Sequence, residues 1–170
     1  GGLVILVTKP FQLGDLVETA DGLGTVKEIS LTFTKLETPD GLWLMTPNSV
    51  LSSGKITNYT ALGRRRAEIR VGASYDAAVS DVRAACLDAA ARVPGVLPDP
   101  APIVYVDSYG ESSISYIVRV WCRSEDYTDV YYGLTEGLKA AFDEHGVEMP
   151  YNHLNIHILD QTEQKEKQTV

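Results

Sequence analysis

Apolar and polar residues alternate in short runs through the first sixty positions. Turn-forming stretches such as ADGLG and TPDG interrupt these runs, and strand-like segments such as DLVET, LWLMT and KITNY lie between them. Alternation with a period of two is typical of strands that bury one face, and short turns bring such strands into antiparallel pairs. The pattern predicts a small, strongly bent all-β module over residues 12–60.

Two glycines, Gly22 and Gly24, form a GxG between two of these strand-like segments. Phosphate-binding glycine loops connect a strand to a helix, whereas this pair lies between strands. The pair is therefore interpreted as part of a hairpin turn, where glycine relieves a backbone constraint.

Beyond the arginine run at residues 64–66 the pattern changes. Residues of alternating polarity first predict one more strand: Ala67, Glu68, Ile69, Arg70 and Val71. Apolar residues then recur at steps of three and four, which is typical of one helical face: Val79, Val82, Cys86, Ala89 and Val93. Ser74 or Asp76 is expected to cap this helix, and the prolines between residues 94 and 102 prevent it from continuing.

A hairpin and a second helix complete this part of the chain. The segments IVYVDS and SISYIVRVWC flank a turn and predict a β-hairpin, with alternate residues of the second strand on one face: Tyr116, Val118, Val120 and Cys122. A second apolar helical face follows: Tyr127, Tyr131, Leu134, Leu138 and Phe142. Asp126 or Thr128 is expected to cap this helix, and His145 and Gly146 are expected to end it.

The order strand, helix, strand, strand, helix over residues 61–150 is that of a split βαβ, or ferredoxin-like, sheet with both helices on one face. The predicted fold class is therefore α+β. It combines an all-β module with an α+β module in one chain.

A last alternating run, LNIHIL within residues 151–159, predicts a short strand with Leu154, Ile156 and Ile158 on one face. Because the preceding sheet is already complete, this strand has no obvious partner, and lone strands are not stable. Copies contributed by several chains around a symmetry axis would close into a small barrel and bury these residues.

Composition limits the possible functions. The 170 residues are 44% hydrophobic and carry a net charge of -8, which allows a packed core and argues against a nucleic-acid binder with a broad basic face. Residues 64–66 are interpreted as a solvated boundary or an inter-subunit salt bridge. Cys86 and Cys122 lack the spacings of zinc or redox motifs, so we expect buried thiols and a reducing compartment. Residues 160–170, charged and glutamine-rich, are predicted to be disordered.

No motif for catalysis or metal binding stands out in the sequence. His153 and His157 are four residues apart, but the glutamate of HExxH is missing and the alternation around them favours surface positions on a strand. The serine pairs at 52–53 and 112–113 lie outside GxSxG. Several carboxylates are interpreted as solvated charges: Asp107, Glu111, Glu125 and Asp126. We therefore expect no enzyme activity, no cofactor and no bound metal.

The chain opens with an apolar run at residues 3–7, within GGLVILVTKPFQLGDLVE. A free terminus of this kind would expose apolar side chains that promote aggregation, so it requires either a core or a neighbouring segment to cover it. The run is far shorter than the roughly 20 residues of a membrane-spanning helix, and it lacks the features of a signal peptide.

Several longer stretches carry a family resemblance: PFQLGDLVE, GLGTVKEISLTFTKLETPDG, LMTPNSVLSSGKITNYT, VGASYDAAVSDV, SSISYIVRVW and GVEMPYNHLNIHIL. Together they closely resemble the small-conductance mechanosensitive ion channel family (MscS-like) from residue 2 to residue 159. Gly14 and Asp15 lie in the first stretch. The pair Pro47 and Asn48 is the most specific local mark of the family.

The resemblance implies an Sm-like β module, an α+β module and a C-terminal strand that closes a seven-stranded barrel in a homo-heptamer. Residues 1–11, with Gly2 and Pro10, would end a pore-lining helix whose transmembrane region and contact with the lipid bilayer lie outside this chain. The modules would form a hollow cytoplasmic cage with side portals beneath a tension-gated pore of the inner membrane. Ions and small osmolytes would pass through it on hypo-osmotic shock, and no nucleic acid or cofactor would be required.

The alternative is a soluble, ring-forming Sm-like and α+β module that binds a ligand or RNA. Sm-like folds can bind RNA, and split βαβ sheets also serve regulatory domains. An RNA binder should interleave basic and aromatic residues on one face, whereas the arginines at 64–66 stand alone in the sequence.

Overall fold

The computed structural model describes residue 3 and residues 7–158, which form two modules in sequence. The first contains strands β1 Leu16–Thr19, β2 Gly22–Ile29, β3 Phe33–Glu37 and β4 Trp43–Pro47, helix α1 Asn48–Ser53 and strand β5 Thr57–Asn58. The second contains β6 Arg64–Ala73, α2 Val79–Arg92, β7 Ile103–Tyr109, β8 Ile114–Arg123 and α3 Tyr127–His145, with the 3-10 turn Ser124–Asp126 before α3. No helix among these residues is long and apolar enough to cross a membrane.

The first module is a sheet with the strand order β4-β3-β2-β1-β5, in which every neighbouring pair is antiparallel. A break in register between Val26 and Glu28 allows the sheet to bend. One face packs into a small core: Phe11, Val17, Val26, Leu36 and Leu51. The predicted strands are confirmed, but helix α1 was not predicted, because six residues are too few to show a helical period.

Gly22 and Gly24 lie in the β1–β2 hairpin, as the sequence indicates. Gly22 has a φ of +142° and pairs with Thr19 next to the turn, a backbone conformation that other residues rarely adopt. A Cβ atom at Gly24 would lie 2.8 Å from the Cβ of Leu36 and 3.0 Å from the carbonyl oxygen of Glu37. Glycine at this position therefore allows β3 to approach β2 closely.

The second module has β8 between β6 and β7 and antiparallel to both. β6 and β7 are therefore parallel, and α2 connects them in the split βαβ arrangement that the sequence predicts. Helix α3 packs beside α2. The main core joins the two helices to one face of β8: Val82, Cys86, Ala89, Tyr116, Val118, Val120, Cys122, Leu134, Leu138 and Phe142. The α+β fold class is confirmed.

The helix caps differ in part from expectation. The N-cap of α2 is Ala78, which makes no side-chain bond, and the Ser74 hydroxyl instead accepts the N–H of Asp76 at 3.2 Å. The predicted cap is wrong because the helix begins after this turn has closed. Asp126 is the N-cap of α3, but its side chain caps no backbone N–H. Gly146 ends α3 as predicted, with a left-handed φ of +67°.

The buried residues at the ends of the two helices also differ from those that the sequence predicts. Val79 is the first residue of α2 and is 37% exposed, and Val93 lies just beyond its last turn. On α3 Val130 is fully buried, whereas Tyr127 and Tyr131 are only partly buried. The first residue of each helix, Val79 or Tyr127, therefore lies at the edge of the core, and periodicity alone does not show where a core ends.

The C-terminal segment forms no strand in the described part of a single chain. Residues 147–158 have neither helix nor strand, so the strand predicted within residues 151–159 is absent over its described positions. No other described strand lies beside this segment, and an unpaired strand is not stable. Residue 159 and the predicted disordered tail at 160–170 lie outside the described residues.

Gly24→Ala should lower the free energy of unfolding by about 1–3 kcal/mol, because the added Cβ overlaps β3 and forces the strands apart. The matched control is Gly137→Ala, in the interior of α3. A Cβ there would lie 3.9 Å from Val93, an ordinary contact, and alanine should stabilise the helix by about 0.5–1 kcal/mol. Chemical denaturation measures both. Equal effects of the two substitutions would contradict the close approach of β3.

Candidate functional site

The chain enters the β module through a sharply turned segment. Val7 and Thr8 are helical. Lys9 then takes a positive φ of 46° and precedes Pro10. Phe11 is 3% exposed and packs in the core of the β module. This aromatic side chain anchors the segment that arrives from the N-terminus, so the direction of the preceding residues is coupled to the sheet.

A buried carboxylate ties this segment to the last strand of the module. Asp15 is 6% exposed, and its Oδ2 accepts the N–H of Gln12 at 3.0 Å and the side-chain amide of Asn58 at 2.8 Å. The Asn58 amide oxygen in turn accepts the N–H of Thr60 at 3.0 Å. Gly14 makes the turn before Asp15 with a φ of +90°. We call Gln12, Asp15 and Asn58 the Asp15 cluster; it fastens the first and last segments of the β module together.

Pro47 and Asn48 lie at the start of α1. Pro47 ends β4, and Asn48 is 1% exposed. The Asn48 side-chain amide donates to the carbonyl of Ser30 at 2.7 Å, and its oxygen accepts the hydroxyl of Thr34 at 2.8 Å. The backbone N–H of Asn48 donates to the carbonyl of Thr32 at 3.0 Å. This pair therefore holds the β2–β3 turn against α1, which is a structural role.

The face of the second sheet that points away from the helices carries a cluster of charges. Glu68 accepts a hydrogen bond from Arg119 at 2.8 Å and forms an ion pair with Arg70 at 3.1 Å, and Arg66 lies 3.8 Å away. The Nε of Arg70 also lies 3.5 Å from Asp107. The hydrogen bond from Arg119, with the surrounding positive charge, lowers the pKa of Glu68 below its ordinary value. Three guanidinium groups thus share two carboxylates.

The first two residues of the arginine run contact aromatic rings of their own chain. The Cζ of Arg64 lies 4.9 Å from the ring centre of Trp121. The Cζ of Arg65 lies 3.5 Å from the ring centre of Tyr127 and 4.5 Å from that of Tyr59. The expected solvated boundary is wrong for Arg65, which is half-buried. Tyr59 lies six positions before Arg65, but Tyr127 lies 62 positions after it, so only the fold brings Tyr127 to this arginine.

The apolar residues of the predicted barrel strand are left uncovered. Leu154 is 85%, Ile156 77% and Ile158 90% exposed, and neither core includes them. Within residues 151–158, the N–H of His153 donates to the Ser112 hydroxyl at 3.0 Å. Just before them, the Glu148 carbonyl accepts the N–H of Ser74 at 3.0 Å. An exposed apolar row of this kind is typical of a surface that another chain covers.

The cysteines and histidines of residues 7–158 do not form a reactive or metal-binding cluster. Both cysteines are buried and unpaired, as the sequence indicates. Burial raises the pKa of the Cys86 thiol to about 12 and also raises the pKa of Cys122, so neither is a nucleophile at neutral pH. Within the described residues, no three side chains of His, Cys, Asp or Glu are placed to hold a metal ion. His153 and His157 are exposed.

Two of the predicted site residues, Pro10 and Asp15, contact the side chain of Asn58, which the sequence did not indicate. The Asn58 amide binds Asp15 and also lies 3.4 Å from the carbonyl oxygen of Pro10. Asn58 was missed because its partners are 43 and 48 positions away, beyond any local pattern. The α1 pair and the C-terminal apolar row lie apart from this cluster, and Gly2 lies outside the described residues.

Family models match both modules. Residues 1–61 match the mechanosensitive ion channel beta-domain, and residues 67–149 match the C-terminal domain of the mechanosensitive ion channel MscS. Among curated proteins, the small-conductance mechanosensitive channel of Edwardsiella ictaluri is 30% identical over 92% of this chain and 55% of its own length. An MscS family protein of Archaeoglobus fulgidus is 32% identical over 88% of this chain and 53% of its own length.

Solved structures show the same fold. The crystal structure of Helicobacter pylori MscS in the closed state has a TM-score of 0.86 and 27% identity, over 94% of this chain and 64% of that one. The cryo-EM structure of Arabidopsis thaliana MSL1 has a TM-score of 0.72 at 20% identity, over 88% of this chain and 56% of that one. The chain spans about half the length of the curated relatives it matches.

Asp15→Ala should lower the free energy of unfolding by about 1–3 kcal/mol, because it removes the carboxylate that accepts two partly buried hydrogen bonds, from the Gln12 N–H and the Asn58 amide. Asp21→Ala is the control: it removes an exposed carboxylate of the β1–β2 turn and should change stability by less than about 0.5 kcal/mol. Urea titration measures the free energy of unfolding of both variants and of the parent chain. Similar losses would show that the Asp15 cluster contributes nothing specific.

The lowered pKa of Glu68 predicts a pH dependence with a defined sign. Its ionised form is favoured in the folded state, so its contribution to stability is present above pH 4.5, the ordinary pKa of a glutamate. It is lost as the pH falls from there through the lower folded pKa. The stability difference between the parent chain and Glu68→Gln should therefore shrink as the pH falls below 4.5.

Denaturant unfolding at a series of pH values tests this expectation. Glu28→Gln, on an exposed position of β2, controls for the loss of a surface carboxylate. A difference between parent and Glu68→Gln that stays constant as the solution is acidified would mean that the ion pairs of Glu68 do not stabilise the fold.

Proposed function

Because the chain belongs to the MscS family of mechanosensitive ion channels, we propose that it forms the cytoplasmic cage of a tension-gated channel. In this proposal, ions and small osmolytes pass through the cage when hypo-osmotic shock opens the pore. The family consists of ion channels, which are not enzymes. We propose no catalytic role and no cofactor for this chain.

We propose five parts along the chain: the end of a pore-lining helix at 1–11, an Sm-like β module at 12–60, an α+β module at 61–150, a barrel strand at 151–159 and a disordered tail at 160–170. Two observations support the division between the modules. The family models separate between residues 61 and 67, and the first sheet ends with β5 before β6 begins.

The observation that carries the proposal is the uncovered apolar row of Leu154, Ile156 and Ile158. Burial of each such side chain contributes about 1.5–3 kcal/mol of stability. A single chain leaves all three side chains exposed and does not gain this free energy. In a ring, every chain contributes one strand, and a closed barrel leaves no strand edge unpaired. We propose a homo-heptamer, in which seven copies of this segment form the barrel at the end of the cage.

The edge strand of the β module supports contact between copies as well. β4 pairs with β3 on one side within the described chain. Its Trp43 and Met45 side chains are 58% and 51% exposed, and Leu42 just before it is also exposed. Exposed apolar groups beside an open strand edge are unfavourable in water and are typical of a surface covered in an assembly.

The lipid bilayer would be reached through transmembrane helices of the full protein. Residues 1–11 would continue the last of these helices, and the helical backbone at Val7 and Thr8 followed by the turn at Pro10 supports this proposal. Phe11 and the Asp15 cluster would then connect the pore to the sheet. In this arrangement the protein lies in the inner membrane and this chain faces the cytoplasm.

The fold groups arginines with an aromatic side chain, the combination expected of an RNA-binding face. The sequence leaves the arginines isolated, but the fold places Arg64, Arg66 and Arg119 on one sheet face with the aromatic Trp121. Glu68 lies among these groups and pairs with Arg66 and Arg119. Because its own carboxylates neutralise much of this face and the net charge is -8, we propose that the chain has no nucleic-acid partner.

The purified chain should have seven times the mass of one copy by native mass spectrometry. Replacing the apolar row with serine, in Leu154→Ser, Ile156→Ser and Ile158→Ser together, should shift the mass toward that of a monomer. The matched control replaces the same three residues with valine, which keeps an apolar, strand-forming row, and should retain the ring. A parent chain that remains monomeric at high concentration would contradict the proposed assembly.

A further inference from the structure

Arg65 lies at the junction of the two modules. It is the second residue of β6 and pairs across the sheet with Cys122. Its side chain belongs to the row that faces the helices, since Ala67 and Ile69 of the same row are buried and alternate residues of a strand share a face. Arg65 is therefore the last member of a core-facing row, at the end nearest the β module.

Two tyrosine rings from different modules enclose its guanidinium group. Tyr127, at 3.5 Å, is the first residue of α3, and Tyr59, at 4.5 Å, directly follows β5. A guanidinium group is attracted to the face of an aromatic ring, and because it is planar it can stack on two rings at once. We call these three side chains the Arg65 stack. It joins the end of the β module to the first turn of a helix in the second module.

Tyr59 is itself fixed to the β module by two hydrogen bonds. Its N–H donates to the carbonyl of Leu16 at 2.9 Å, and its hydroxyl donates to the Oε2 of Glu18 at 2.6 Å. Both partners belong to β1. The bond to Glu18 raises the pKa of the Tyr59 hydroxyl, so the ring remains protonated and attached. Arg65 therefore stacks on a ring that cannot turn away without breaking its hydroxyl bond to Glu18.

The described apolar cores of the two modules are separate. Their two cores share no residue among those described. The linker contributes a backbone hydrogen bond, from the N–H of Ser124 to the carbonyl of Gly63 at 3.1 Å. A single bond of this kind restrains a distance but leaves rotation about it possible. The contacts of one planar group with a ring from each module restrain the rotation.

We propose that Arg65 is a positioning residue whose stack between Tyr59 and Tyr127 fixes the angle between the β module and the α+β module. Without the stack, each module keeps its own core and stays folded, but the two rotate about the linker at residues 60–63. The consequence for a channel rests on the proposed function: Arg65 would then set the shape of the cage wall. The positioning itself is a property of this chain and does not depend on that function.

The angle is measured in the chain itself. Asp21→Cys in the β1–β2 turn and Glu136→Cys on α3 place spin labels at exposed positions of the two modules. Pulsed electron paramagnetic resonance then gives the distribution of distances between the labels. Labelled chains are refolded with a large excess of unlabelled chain, so that distances within one chain dominate. Cys86 and Cys122 are buried and stay unlabelled in the folded protein.

Arg65→Lys keeps the charge but removes the planar group. It should broaden the distance distribution, with the ratio of stacked to unstacked orientations reduced about fivefold, as the loss of one cation–π contact implies. Tyr127→Leu should have the same effect, and Tyr127→Phe, which keeps the ring, should match the parent chain. The matched control is Arg64→Lys, because Arg64 contacts Trp121 within the second module, and it should leave the distribution unchanged.

Alkylation of Cys86 in native buffer reports separately on unfolding of the α+β module, and its rate in Arg65→Lys should stay within about twofold of the parent rate. A distribution as narrow as that of the parent would overturn the proposal. Broadening that occurs only together with faster Cys86 alkylation would also overturn it, since Arg65 would then merely maintain folding. If Arg65→Lys does not fold, Tyr59→Leu makes the same test from the other ring, with the same outcomes.

Discussion

Both helices of the second module pack on the same side of its sheet, so they cover one face of the central strand β8. On the opposite face Ile117 is buried, whereas Ser115, Arg119 and Trp121 are partly exposed. Tyr116, Val118 and Val120 occupy the covered face and pack under α2 and α3. Since side chains alternate along a strand, the same burial places Arg119 and Trp121 on the opposite face. There they meet the charged residues of β6. The covered face thus determines which groups pair on the open one, and it directs β6 toward the junction with the β module.

Periodicity predicts those parts of the fold in which one chain buries a face over several turns or strand residues. The α+β class, the β8 face and both long helices follow from it. It does not predict α1, which is too short to show a period, or the start of α2, where a local turn at Ser74 uses the expected capping group. The predicted strand around Leu154 differs for another reason: its alternation is genuine, but a single chain offers no partner for its backbone.

The candidate site could be predicted only in part, because its contacts join residues that are distant in sequence. Asp15 and Asn48 were singled out through family resemblance, but their roles depend on Asn58 and on Ser30, at separations of 43 and 18 residues. The sequence does not distinguish the three arginines at 64–66. Strand alternation and register make Arg65 face the helices and Tyr127, while Arg64 faces Trp121, and no local pattern specifies that register.

The chain combines an anchored N-terminal segment, two folded modules and an uncovered apolar row. In the proposed function, the full protein containing this chain is a channel gated by membrane tension. Patch-clamp recording of that protein in lipid membranes under increasing suction tests this proposal most directly. The proposal predicts discrete openings whose probability rises with tension. Protein that is present in the patch but gives no openings up to membrane rupture would contradict it.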